Sequence, residues 1–190
     1  WETEKRQHNH WTPESQPFMI PENKEIIQKF QKDVVEEEFW DSICRGIVEE
    51  IYWVGGEPLM YDIHWRAMNR LADDDNLKHV HLRYNSNLSR VRYGQHYLYD
   101  WLPRAKDWTM CASIDGIGEI GEFIRTGLVW EEWDQNFREG VQLPGGHDKM
   151  LMDLTLTGPG LFGLRDLVNY ALENDVKIET KNMFAFHPDI

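Results

Sequence analysis

Small and polar residues with the chemistry of a binding site recur directly after short apolar runs of this sequence. In chain order these residues are Gly55, Gly56, Glu57 and Pro58; Asn85, Ser86 and Asn87; Ser113, Asp115 and Gly116; Thr155 and Thr157; and His187 and Pro188. Paired glycines let a ligand approach the backbone closely and leave its amide and carbonyl groups free to bind. The first group therefore predicts a turn that helps to hold a small ligand.

The other groups indicate which ligand this would be. Backbone carbonyls or the carboxylate of Glu57 suit an ammonium group. Asp115 can accept hydrogen bonds from a ribose diol, as carboxylates do in nucleotide sites. Arg125, ten residues further on, can grip a carboxylate through two parallel hydrogen bonds. The set predicts a ligand that carries an ammonium, a ribose and a carboxylate.

Each of these signals is weak by itself. A Gly-Gly pair or an Asp-Gly pair after an apolar run is most often a turn, and an isolated arginine is usually a surface cation. Their placement at successive ends of apolar runs is what favours a shared site.

The elements that would position these residues alternate between strand and helix, which predicts an α/β fold. Five strands are expected at residues 51–54, 80–84, 109–114, 149–156 and 176–183, and the first should be buried on both faces. The expected helices are 21–30, 35–48, 62–71 capped by Asp62, 97–101, 117–124, 130–138 ended by Gly140, and 161–172. Alternation implies parallel strands, whose carboxyl ends meet at one edge.

The charge, the length of the apolar runs and the number of cysteines argue against several classes of partner and site. A net charge of −13 argues against a nucleic-acid partner. No apolar run approaches the ~18 residues of a membrane helix, so no membrane partner is expected. The chain has two cysteines, Cys44 and Cys111, both expected in the core. Two isolated cysteines without a visible secretory signal predict a reduced, cytoplasmic setting and no metal site in this chain.

Four segments together resemble the radical S-adenosylmethionine enzymes, closest to their twitch-domain branch. Tyr52-Trp53-Val54-Gly55-Gly56-Glu57-Pro58-Leu59-Met60 resembles the GGEP strand of that family, and Asn85-Ser86-Asn87 stands where it often carries Thr-Asn-Gly. Ser113-Ile114-Asp115-Gly116 resembles the ribose-contacting strand end. Ile124-Arg125-Thr126-Gly127 resembles the segment whose arginine meets the methionyl carboxylate.

The resemblance implies a partial (β/α)6 TIM-like barrel that binds S-adenosylmethionine (SAM). Gly55, Gly56, Glu57 and Pro58 would bind the methionyl amino group, Ser113 and Asp115 the ribose, Arg125 the carboxylate, and His187 would lie near the adenine; Asn85, Asn87 and Thr157 complete the expected set. In the family a 4Fe-4S cluster reduces the sulfonium, and a 5′-deoxyadenosyl radical then abstracts hydrogen from substrate. No catalytic residue is assigned, and the substrate would be a peptide or a small molecule.

The family hallmark CxxxCxxC is missing, so this chain lacks the cluster ligands. The chain begins at Trp1, and we expect a fragment: one incomplete barrel domain over residues 1–190, without its first strand and cluster loop, and with residues 1–20 as an irregular arm. Two alternatives remain. One is a cluster-free SAM- or ligand-binding module without catalysis. The other is an unrelated barrel enzyme that uses Glu57, Asp115 and His187 for acid–base chemistry.

Overall fold

The structure is a computed structural model and describes residues 20–182. The chain falls into two compact units, residues 1–47 and 48–190. The predicted arm, apart from its last residue, lies outside the described residues, as do His187 and Pro188. The organisation as one barrel domain stays a prediction.

The first unit contains helix α1 (Pro21–Phe30), a π-helical stretch (Gln31–Glu36) and helix α2 (Glu37–Arg45), which follow one another without a break. Proline in the first turn is compatible with a helix start because its missing N–H has no partner there. Gly46 ends α2 with a left-handed backbone (φ 64°), two residues before the predicted end at Val48.

The second unit contains a five-stranded parallel sheet, which confirms the predicted α/β class and the five predicted strands. The strands are β1 (Glu50–Trp53), β2 (His81–Ser86), β5 (Asp107–Ile114), β6 (Met150–Leu156) and β7 (Lys177–Asn182), hydrogen-bonded in that order. Two short strands, β3 (Arg92–Tyr93) and β4 (His96–Tyr97), form a separate antiparallel hairpin that the sequence did not predict. Each strand of the main sheet therefore lies beside the next one in sequence, with its carboxyl end at the same edge.

Helices connect the strands close to the predicted positions. They are α3 (Asp62–Asp73), α4 (Leu98–Trp101), α5 (Gly118–Ile124), α6 (Trp130–Val141), α7 (Gly146–Lys149) and α8 (Gly160–Glu173), with short 3-10 turns at Pro58–Met60, Leu77–His79 and Leu102–Arg104. Within residues 20–182 none of the helices has both the length and the apolar character needed to cross a membrane.

The two faces of the sheet differ. Along β5, the side chains of Trp108, Met110, Ala112 and Ile114 are buried, whereas the alternate positions are half-buried or exposed. Strand β2 shows the same alternation, with Leu82 buried and Arg83 exposed. One face thus belongs to the apolar core, and the other presents polar side chains at positions that include Asn85 and Ser113.

The prediction that β1 is buried on both faces is wrong. Ile51 is buried, but Tyr52 on the other face is 45% exposed. Strand β1 lies at one edge of the described sheet and pairs only with β2 there. An edge strand pairs with a neighbour on one side only and is covered less than a central strand. An aromatic side chain such as Tyr52 can therefore remain partly exposed there.

Two predicted helix ends are also wrong. Asp62 does not cap α3, because Tyr61 occupies the cap position; Asp62 forms an exposed ion pair with Arg66 one turn later. Gly140 does not end α6 but lies within it. A Cβ on Gly140 would lie 2.7 Å from Sδ of Met150 and 2.9 Å from the hydroxyl of Tyr99, so this glycine permits close packing rather than a stop.

The prediction that both cysteines lie in the core is wrong. Cys44 is exposed, and Cys111 is only half-buried, on the polar face of β5. In helix α8 the side chains that contribute to the core are Leu167, Tyr170 and Ala171, which share one face of the helix.

Candidate functional site

The GGEP turn is tied to the end of the neighbouring strand by the carboxylate of Glu57. Its Oε1 accepts hydrogen bonds from the Ser86 hydroxyl (2.7 Å) and from the backbone amide of Leu59 (3.1 Å). Its Oε2 accepts one from the backbone amide of Asn87 (2.7 Å). The carboxylate thus joins the carboxyl ends of β1 and β2 and starts the 3-10 turn at Pro58.

The two glycines of this turn have left-handed backbones, with φ of 89° at Gly55 and 54° at Gly56. A Cβ on Gly55 would meet nothing within 4 Å, whereas one on Gly56 would lie 2.8 Å from the hydroxyl of Tyr61. The backbone of Gly55 is therefore open to a ligand, and Gly56 is required for the fold of the turn itself.

A second pair of residues connects the next strand end to its neighbours. Arg125 donates from Nε to Oδ2 of Asp115 (2.7 Å) and from Nη2 to Oδ1 (3.2 Å). The backbone amide of Thr155 also donates to Oδ1 (3.1 Å). Asp115 is 9% exposed and Arg125 27% exposed as side chains. The carboxylate that Arg125 grips here is therefore that of Asp115, and the bonds link β5, β6 and the segment after α5.

Glycines allow two helices, α5 and α8, to pack directly against the segment that follows β5. A Cβ on Gly121 of α5 would lie 2.2 Å from the carbonyl oxygen of Gly116. One on Gly160 of α8 would lie 2.8 Å from the carbonyl oxygen of Asp115 and 3.0 Å from the hydroxyl of Thr157. Thr157 itself accepts a hydrogen bond from the amide of Gly160 (3.1 Å), so its predicted ligand-binding oxygen already has a partner in the chain.

A row of polar side chains crosses the polar face just below these strand ends. The Tyr52 hydroxyl donates to Oδ1 of Asn85 (3.1 Å), and Nδ2 of Asn85 donates to Oδ2 of Asp153 (3.3 Å). Ser113 is paired in register with Asp153 on the adjacent strand. This row contains two residues that the sequence reasoning missed, Tyr52 and Asp153.

The signal for these two was present but ambiguous. Asp153 is a carboxylate within an apolar run, and it is buried in the structure. A charged residue in a buried strand costs free energy unless it has polar partners, so its presence indicates a polar environment. Tyr52 lies in an aromatic run that predicts a strand, and the sequence does not indicate whether the hydroxyl of such a tyrosine has a polar partner.

The structure thus brings the predicted residues together at one edge of the sheet, in two groups. Glu57 holds the first group with Asn87, and Asp115 holds the second with Arg125; Asn85 and Ser113 lie on the polar face between them. His187 lies outside the described residues.

A buried histidine lies behind the GGEP strand. His64 of α3 is fully buried; its Nε2 is 3.0 Å from the hydroxyl of Tyr84, and its ring packs edge-on against Trp53 and Trp65. Burial lowers the pKa of His64 to about 3 and raises the pKa of Tyr84 well above its ordinary value. Both groups are neutral at physiological pH and form part of the core that supports β1.

The described residues do not fit an iron–sulfur cluster. Cluster irons are held by convergent cysteine thiolates. Cys44 and Cys111 belong to different units of the chain, and among residues 20–182 no three His, Cys, Asp or Glu side chains are placed to hold a metal ion. No step of the chemistry can be assigned to a cluster held by this part of the chain.

Comparison with known proteins gives a match in three-dimensional structure but none in sequence. No family model matches the sequence, and no curated protein matches it significantly. Among solved structures the fold is similar to that of SuiB from Streptococcus suis, with a TM-score of 0.57 at 17% sequence identity. The match covers 78% of this chain and 34% of the SuiB chain, so this chain corresponds to about a third of that protein. The similarity concerns the fold.

Proposed function

We propose that this chain binds SAM at the carboxyl edge of its parallel sheet and is part of a radical SAM enzyme with a partial (β/α)6 barrel. The observation that carries the proposal is the convergence of the GGEP turn, the Asn85-Ser86-Asn87 strand end and the Asp115–Arg125 pair at this one edge. These are the segments on which the family resemblance rests. The strand order and the polar sheet face are also what a partial barrel would have, with the polar face inside.

The ligand's methionyl end would lie at the GGEP turn. Gly55 offers an open backbone there, and the carboxylate of Glu57 carries a negative charge next to it. Since Glu57 already accepts three hydrogen bonds, its main role would be to hold the turn and to attract the ammonium electrostatically.

The Asp115–Arg125 pair would change partners when SAM binds. A ribose diol donates hydrogen bonds and a methionyl carboxylate accepts them, so Asp115 and Arg125 can each gain a ligand contact by loosening their mutual one. The amide of Thr155 would keep Asp115 in place during this exchange. The ion pair therefore holds the site in order before the ligand arrives, and part of the ligand's binding energy replaces it.

A SAM-binding module without radical chemistry is the second candidate. It is favoured by the absence of convergent thiolates among the described residues. The two candidates share the SAM site and differ in whether CxxxCxxC is encoded upstream of Trp1.

The SAM site is tested by titrating this chain calorimetrically with SAM, with decarboxylated SAM and with methylthioadenosine. We expect saturable SAM binding and about tenfold weaker binding of decarboxylated SAM. Arg125→Gln should remove the difference between these two ligands, and Asp115→Asn should weaken all three. Arg66→Gln, an exposed arginine on α3, is the matched control. No saturable binding of SAM, or an unchanged ligand preference in Arg125→Gln, would overturn the assignment.

The radical chemistry requires a second measurement. If the reading frame upstream encodes CxxxCxxC, the extended protein reconstituted with iron, sulfide and reductant should convert SAM to 5′-deoxyadenosine. SAM binding without 5′-deoxyadenosine in that protein would support the binding module instead.

A further inference from the structure

A small cleft lies beside the proposed site, between the loop after β2 and helix α6. One wall is formed by residues 89–92, and the other by Glu132, Gln135, Asn136 and Glu139. These four helix positions are spaced so that they share one face of α6, opposite the buried Trp133 and Phe137. The cavity has a volume of about 290 Å³.

The two walls are held together by hydrogen bonds, so the cleft is formed in advance. Nδ2 of Asn136 donates to the carbonyl oxygen of Leu88 (2.9 Å), and the Tyr99 hydroxyl donates to the carbonyl oxygen of Asn136 (2.5 Å). The side chain of Leu88 is fully buried, and its backbone is left-handed (φ 55°), a conformation that costs free energy for leucine. The surrounding contacts must therefore fix this part of the loop.

The loop wall carries two positively charged side chains, Arg90 and Arg92. Among the described residues neither Arg90 nor Arg92 forms an ion pair; their guanidinium carbons lie over the rings of Tyr93 (5.8 Å) and Tyr97 (3.5 Å) respectively. A cation–π contact holds a guanidinium over the aromatic ring, while the N–H donors, which point outward in the plane of the guanidinium, can still bond an acceptor. Both arginines can therefore bind a carboxylate.

The helix wall is negatively charged. Glu139 accepts hydrogen bonds from the Tyr97 hydroxyl (2.6 Å) and from Nε2 of Gln135 (2.9 Å). These bonds, together with the nearby guanidinium of Arg92, hold the pKa of Glu139 below its usual range. Glu132 is exposed, and no hydrogen bond or ion pair engages it within residues 20–182. A ligand between the walls therefore meets two cations on one side and two carboxylates on the other.

We infer that this cleft binds a small zwitterion, a free amino acid or a dipeptide, with its carboxylate on Arg90 and Arg92 and its ammonium on Glu132. A polyanion such as phosphate is disfavoured because Glu132 and Glu139 repel it. The cavity volume lies at the lower limit for small-molecule sites, which suits a ligand of one or two residues. The inference stands apart from the proposed SAM site and uses none of its residues.

The test is calorimetric titration of the full chain with glycine, glycylglycine, N-acetylglycine, glycinamide and inorganic phosphate. A zwitterion should bind at least about tenfold more tightly than N-acetylglycine, which lacks the ammonium, and than glycinamide, which lacks the carboxylate. Glycine and glycylglycine distinguish a free amino acid from a dipeptide. Tighter binding of phosphate, equal binding of the two zwitterions and their blocked analogues, or no saturable binding of either zwitterion would overturn the inference.

Variants assign the contacts. Arg90→Gln should weaken zwitterion binding about tenfold, and Glu132→Gln should abolish the preference for glycylglycine over N-acetylglycine while leaving N-acetylglycine affinity equal or higher. Glu132 is exposed on a helix surface, so its variant keeps the fold even if an arginine variant perturbs the loop. Arg66→Gln should bind like the unmodified chain. Unchanged ligand preference in Glu132→Gln would overturn the assignment, whatever the arginine variants do.

Discussion

Arg125 donates two hydrogen bonds to the carboxylate of Asp115, at 2.7 and 3.2 Å, and so closes the loop between β5 and the segment after α5. The two residues are ten positions apart, and in the resemblance each was expected to bind a different part of the ligand. In the structure each is the other's partner. The residues expected to bind SAM thus also connect segments at the edge of the sheet to one another.

Arg125→Ala should destabilise the chain. It leaves the nearly buried carboxylate of Asp115 with the Thr155 amide as its remaining hydrogen-bond donor, and a poorly compensated buried acceptor costs about 1–3 kcal/mol. Urea denaturation followed by tryptophan fluorescence measures this. Arg45→Ala removes an exposed ion pair with Asp41 and should change the free energy of unfolding by less than about 0.5 kcal/mol. Equal effects of the two substitutions would contradict the structural role of the pair.

Glu57→Gln should weaken the connection between β1 and β2. The carboxylate accepts three hydrogen bonds through both oxygens, and a glutamine side chain offers one acceptor oxygen and one donor group in their place. The backbone amide of either Asn87 or Leu59 then faces the glutamine NH2 and loses its acceptor, at a cost of about 1–3 kcal/mol in urea denaturation. Glu25→Gln, on an exposed face of α1, should have little effect. A Glu57→Gln chain as stable as the Glu25→Gln chain would show that the brace is unimportant.

Gly160→Ala should destabilise the start of α8, although alanine favours helices. Its Cβ would lie 2.8 Å from the carbonyl oxygen of Asp115, so either the helix or the strand end must shift, at a typical cost of about 1–3 kcal/mol. Gly158→Ala is the matched control, since a Cβ there meets nothing within 4 Å. Thermal unfolding of the two variants compares them directly. The prediction is wrong if Gly160→Ala melts at or above the temperature of Gly158→Ala.

His64 should make the fold sensitive to acid. Its pKa is about 3 in the folded chain and about 6.5 when exposed, so the unfolded state binds the additional proton between these values. Its contribution to stability is complete above pH ~6.5 and is lost as the pH falls towards 3, by at most about 1.4 kcal/mol per pH unit. The nuclear magnetic resonance signals of the His64 ring should show no titration between about pH 7 and about pH 5 while the chain is folded.

The same property of His64 can be measured by urea denaturation, as the slope of the free energy of unfolding against pH. Replacing His64 with glutamine should lower the free energy of unfolding but make its slope against pH shallower between about pH 6.5 and about pH 5. A His64 ring that becomes protonated near pH 6 in the folded chain would contradict its burial.

Much of the fold could be predicted because the period of the apolar residues changes visibly along the chain. The runs around Leu82, Met110 and Met152 all became strands of one parallel sheet, and the helices between them lie within a few residues of their predicted positions. The predicted edge location of Gly55, Asn87 and Asp115 follows from parallel order alone. The burial of strand β1 was predicted wrongly because a four-residue aromatic run has the same sequence pattern in a buried strand and in an edge strand.

The sequence by itself determined which residues could do chemistry and that they would lie at one edge of a sheet, because strand and helix alternation dictates parallel strands. Only the tertiary structure decided their partners. Glu57 is joined to Ser86, and Asp115 to Arg125, because hydrogen bonds depend on distances of tenths of an ångström between segments that sequence order leaves undefined. The polar row from Tyr52 to Asp153 arose in the same way, since it requires the register of four strands.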